Sequence, residues 1–265
     1  MRTKDEIADW IFDTYEWLLT HLGGFDLFYG SPLVLPTGEF FPVPAGLEGH
    51  ELAAEVFALV REHAGLGHWR CRLEVHDDPG ISAVLPGVPL GATSEKGAAG
   101  TFLYSPQSDE AVITYSPRLV SNITGLVATF AHELAHYLLG AIPVDPPGGP
   151  VAEEYATDVA AVFLGFGVFA ANAVFTFEQF TDGVMIGWRS SQTGYLNEVD
   201  VAYALAVFTE LLDIDPKEVR GFLDGNPKSY YKRAVKDMLK RRGDDLDRLR
   251  KVASSPSRGQ SVLRG

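Results

Sequence analysis

Apolar residues recur at helical spacing from the start of the chain. Ile7, Trp10, Ile11, Tyr15, Leu18 and Leu19 fall on one face, predicting a helix over 5–22 that Gly23-Gly24 stops. Residues 25–49 are rich in glycine and proline around short apolar pieces, which predicts loops and edge strands. Helical spacing returns over 51–64 through Leu52, Val56, Leu59 and Val60. The period then changes to two. Residues 69–75 alternate, and 101–104 and 111–115 read as strands joined by a polar hairpin loop. Between them, 86–100 is rich in glycine and alanine and predicts a mobile loop.

From 119 onward the pattern is helical. Ser121 or Asn122 caps a helix running to Leu139, with Gly140 as its stop. Residues 141–150 hold four prolines and two glycines and form a loop. A long apolar helix follows over about 152–177, then helices over 197–212, 216–223 and 230–241. Residues 252–265 are polar and predict a disordered tail. Helix, then mixed β, then helices indicates an α+β fold. One domain over 1–251 accommodates it, with a mixed helix and antiparallel β part over 1–118 and a helical part over 119–251.

Composition narrows the class. The 265 residues are 46% hydrophobic and 22% charged, which excludes collagen-like, coiled-coil and wholly disordered chains. A single cysteine, Cys71, rules out an internal disulfide and favours a reducing, cytoplasmic setting. The net charge of −13 is uneven: residues 1–227 carry −21 and residues 228–265 carry +8. The acidic body argues against a nucleic-acid partner, and the basic run is expected to rest on the protein's own acidic surface. Val159 to Phe177 is 19 residues without a charge. A buried core helix is the expectation there, with a bilayer span as the minor alternative.

The chemistry lies in His132-Glu133-Leu134-Ala135-His136. Residues i and i+4 share a helical face, so both imidazoles reach one metal ion while Glu133 stands beside it as a general base. With 7 His and 17 Glu in the chain, about 0.01 such matches are expected by chance, so the motif is read as functional. No histidine follows in 137–146, which excludes the metzincin pattern. Instead, Glu153-Glu154-Tyr155-Ala156-Thr157-Asp158 opens the next helix. Glu154 and Asp158 are i and i+4. Glu154 completes a His-His-Glu set for Zn2+, and Asp158 accepts the distal N–H of a ligand histidine. Glu153, one residue off that face, is the rival ligand.

HExxH followed by E-x-x-x-D on a second helix resembles the gluzincins, a clan of zinc metallopeptidases. The likeness spans roughly residues 100–178. It implies a zincin-like fold, Zn2+ as cofactor and a peptide or protein substrate. It also implies an edge strand, within 101–115, that binds extended substrate. The clan's oxyanion donor is often a downstream tyrosine or histidine. Tyr195 is the candidate, with Tyr137 and Arg189 behind it. The alternative function is a non-catalytic, zinc-binding regulatory or interaction protein on the same fold. Cys71 near His68 and His76 reads as a half-buried strand cysteine.

Overall fold

The computed structural model describes residues 3–75, 100–105, 110–180 and 196–253. Helix α1 (Asp5–His21) buries Ile11, Phe12, Tyr15, Leu18 and Leu19, the stripe its period prescribes. A short α2 (Gly24–Phe28) follows, and residues 29–48 then run without a strand to α3 (Gly49–His63). Prolines remove ladder donors from that segment and glycines loosen its backbone, and the expected edge strands are absent from it.

Among the described residues three strands form a sheet: β1 (Cys71–Val75), β2 (Gly100–Ser105) and β3 (Glu110–Tyr115), in the order β1-β3-β2. The β2–β3 hairpin is antiparallel and pairs Gly100 with Tyr115 and Phe102 with Ile113. β1 runs parallel to β3, with Cys71 beside Ala111 and Leu73 beside Ile113. The sheet is therefore mixed rather than antiparallel. Only strands joined by a tight turn must oppose each other, and β1 is separated from β2 by 24 residues that let it enter on the far side of β3. The loop expected over 86–100 lies outside the described residues except for Gly100, which belongs to β2.

A 3₁₀ turn (Pro117–Ser121) leads into α4 (Ile123–Gly140). Of the two expected caps, Asn122 is the one used: its side-chain oxygen accepts the Gly125 N–H at 3.1 Å. α4 is buried along most of its length and packs on α3, β2, β3 and the helices that follow. A second 3₁₀ turn (Pro150–Ala152) opens α5 (Glu153–Ala161), which passes through a π-helical turn (Val162–Phe166) into α6 (Gly167–Phe180).

The expected single rod over 152–177 is thus kinked. Gly165 takes a φ of 98°, and its carbonyl accepts the Val34 N–H at 3.0 Å. A Cβ there would collide with the Pro32 carbonyl oxygen, so glycine is required on two counts. Gly167 answers a different need. A Cβ on it would meet Leu205 Cδ1 at 2.7 Å, so it admits α7 (Glu198–Leu211) rather than the motif helix. Pro150–Ala173 is long and apolar enough to cross a membrane by length and composition, yet 89% of its most apolar window is buried within the protein. The uncharged run serves as core here.

The chain ends in α8 (Pro216–Gly221), α9 (Gly225–Arg241) and α10 (Gly243–Arg250). One continuous apolar core joins the sheet side to these helices, from Ile113 and Phe130 through Phe163 and Phe208 to Leu249. Each such fully buried large side chain contributes about 1.5–3 kcal/mol. Part of the basic C-terminal run rests on the acidic face of α1, as expected. Arg241 pairs with Asp5 at 2.8 Å, Arg242 with Asp9 at 2.6 Å, and Arg248 with Asp13 and Glu16, each at 3.2 Å.

Candidate metal centre

His132 and His136 lie one turn apart on α4, and their Nε2 atoms stand 3.1 Å apart. The first turn of α5 brings Glu154 Oε2 to 3.5 Å from each of them. These three half-buried side chains are the only group of metal-ligating type among the described residues. Two atoms bound tetrahedrally at about 2.0–2.1 Å from one zinc ion lie about 3.3–3.4 Å apart. The triangle found here, with edges of 3.1, 3.5 and 3.5 Å, has that size. Glu154 Oε2 is buried yet makes no hydrogen bond; at 3.5 Å it meets the imidazoles as an ion partner only. An orphaned carboxylate oxygen facing two imidazole nitrogens is what a cation would satisfy. The group can hold a metal ion, and its geometry is compatible with an HExxH-type site.

The backs of both imidazoles are held. His132 Nδ1 lies 3.0 Å from Asp158 Oδ1, and the other oxygen of Asp158 accepts the Leu196 N–H at 2.8 Å. Asp158 therefore ties α4, α5 and the start of α7 together. His136 Nδ1 lies 3.3 Å from the hydroxyl of Thr157, whose own hydrogen goes to the Glu153 carbonyl at 2.9 Å. That leaves the Thr157 oxygen to accept. Both contacts place a hydrogen on Nδ1 and free the Nε2 lone pairs. Thr157 was missed in the sequence, although its position three residues after Glu154 puts it on the inward face.

The charged groups of the cluster act strongly on one another. Burial disfavours a charged His132, but its hydrogen bond to Asp158 and the nearby carboxylate of Glu154 prevail and push its pKa up to about 10. Burial likewise opposes ionisation of Glu154, but the two imidazoles hold its carboxyl well below the usual range. Burial raises the carboxyl of Glu133, against the pull of His132 and His136. Glu133 is 7% exposed. Its Oε1 sits against Gly100 of β2, where an added Cβ would come within 3.1 Å. The motif helix thus presents its two histidines to α5 and its glutamate to the sheet.

Helix α1 sets the approach of α5. Trp10 donates its indole N–H to the Pro147 carbonyl at 2.7 Å and meets Tyr155 edge-on. Gly148 and Gly149, at φ of 92° and 73°, make the turn that follows. Glu153 is exposed and its side chain stays outside the triangle; only its carbonyl is used. Tyr137 packs on Trp69 and Phe102 and directs its hydroxyl to the Arg70 carbonyl at 3.5 Å. Tyr195, Arg189 and His76 lie outside the described residues. Cys71 is half-buried on β1, and burial raises its thiol. Comparison with family models, curated proteins and solved structures finds no match to this chain.

Proposed function

We propose that the protein is a zinc-dependent, gluzincin-like peptide hydrolase acting in the cytoplasm. The observation that carries this reading is the triangle of His132, His136 and Glu154 with the buried carboxyl of Glu133 beside it. Two imidazoles and a carboxylate form a donor set that zinc favours, and three protein ligands leave an open fourth position. Among the described residues no fourth ligand joins them, whereas a purely structural zinc site is closed.

Zinc bound there would acidify its water and polarise a substrate carbonyl. The remaining work falls to the chain. Glu133 takes the proton of the attacking water and returns it to the leaving nitrogen. Its carboxyl is buried close to the ligand side chains, which suits a group that takes and returns a proton there. Asp158 and Thr157 keep the imidazoles in the ligand tautomer. Among the described residues β2 is a sheet edge, and its first residue, Gly100, lies next to Glu133, so an extended peptide pairing with it would lie across the site. Tyr195 is assigned as the oxyanion donor on the gluzincin resemblance.

Hydrolysis of a mixed peptide library by the zinc-loaded protein tests this reading. The Glu133→Gln variant is expected to keep its metal and lose cleavage by a factor of about 100 or more. Equal cleavage by both proteins would refute the role of Glu133. A metal-loaded protein that cuts no peptide would favour the non-catalytic zinc-binding alternative.

A further inference from the structure

Four arginines of the basic C-terminal segment are paired: Arg241, Arg242, Arg248 and Arg250 each meet an acidic side chain, 2.6–3.2 Å away, on α1, α9 or the α7–α8 loop. Arg233 is exposed on α9 and lies over the Tyr230 ring. The lysines of α9 turn outward. Lys228, Lys232, Lys236 and Lys240 follow one another at i+4 along α9, about 18 Å from first to last. The last three are exposed, and none of the four is in an ion pair among the described residues. The only acidic residue of α9, Asp237, lies off this row and is held by Arg241 at 2.8 Å. Leu239 stands on the same face, 73% exposed.

We propose that this outer face of α9 docks on an anionic lipid bilayer. Each lysine close to an anionic leaflet strengthens binding about fivefold, and the exposed Lys232, Lys236 and Lys240 span an arc of about 80° round the helix, narrow enough to face one plane. An exposed leucine among lysines gains by sinking between headgroups, whereas it has nothing to meet on a phosphodiester backbone. The face offers no Asn or Gln side chain for base edges beyond the helix's first turn. The inner face of α9, with Tyr231, Ala234, Val235 and Met238, is buried, so the helix is anchored before any lipid is met. This inference does not depend on the metal site.

The test is flotation of the full chain with vesicles of phosphatidylcholine alone and of an equal phosphatidylcholine–phosphatidylserine mixture. The protein is expected to float with the anionic vesicles at low salt and to be released at high salt. A Lys232→Ala, Lys236→Ala double variant should bind about 30-fold more weakly, and Leu239→Ser several-fold more weakly, both with unchanged circular dichroism. Failure to bind anionic vesicles, equal binding to neutral ones, or variants that bind like the parent would overturn the proposal. Retention of a labelled DNA duplex without vesicle binding would assign the face to nucleic acid and overturn it equally. Zinc content measured on the same preparations reports separately on the metal centre.

Discussion

The Thr157 hydroxyl oxygen lies 3.3 Å from Nδ1 of His136 while its hydrogen is committed to the Glu153 carbonyl. One side chain thereby fixes the tautomer of an imidazole on α4 and closes the first turn of α5, the turn that carries Glu154. Thr157→Val keeps the shape and removes the acceptor. Zinc affinity is expected to fall about 10- to 100-fold, read by competition with a chromophoric chelator. Thr157→Ser should restore it. Loss of affinity in Ser as well as Val would mean that the methyl group, and not the hydroxyl, matters.

Trp10 controls the same turn from a distance. Trp10→Phe retains an aromatic ring against Tyr155 but loses the hydrogen bond to Pro147. About 1 kcal/mol of stability should go with it, seen as a lower urea midpoint with an unchanged slope. An unshifted midpoint would remove Trp10 from the account.

The kink at Gly165 makes a contrast with Gly140. Gly165→Ala puts a Cβ against the Pro32 carbonyl at positive φ, and should cost well over 1 kcal/mol. Gly140→Ala, at the end of α4 with open space around it, should be neutral or stabilising by up to about 1 kcal/mol. Thermal melts of the pair check both. Equal shifts would contradict the kinked geometry.

Buried tyrosines predict the alkaline limit of the fold. Burial raises Tyr15 and Tyr203 well above the ordinary value, and pushes Tyr231 up to about 12. An acid whose folded pKa is raised contributes stability in full below its unfolded pKa, near 10. That stability is lost as pH rises through the folded value. Stability should therefore hold to about pH 10 and fall between 10 and 12. In a phenolate absorbance titration these residues should ionise only as far-ultraviolet circular dichroism collapses. Ionisation of all ten tyrosines near pH 10 with the fold intact would be inconsistent with this packing.

What could be read in the sequence depended on how local its cause was. α1 and α4 were legible because an apolar stripe and a capping Asn122 act within a few residues. Placing Glu154 rather than Glu153 beside the imidazoles followed from its i+4 relation to Asp158. Thr157 sits on that face too and could have been found by the same argument. Trp10 could not, since its partner Pro147 is 137 residues away. The kink was equally hidden. A run that is hydrophobic all round does not say which glycine takes positive φ, and Gly165 does so because of Pro32 and Val34 on a distant segment. The parallel entry of β1 escaped notice because alternation marks a strand without giving its direction. α10 went unseen because it buries only Leu246 and Leu249.

The most direct measurement is zinc per chain by elemental mass spectrometry on the purified protein beside its Glu154→Ala and Glu153→Ala variants. About one zinc in the parent and in Glu153→Ala, with most of it lost from Glu154→Ala, is the result the account predicts. A parent chain that holds no zinc after zinc is offered, or a metal content indifferent to Glu154, would contradict it.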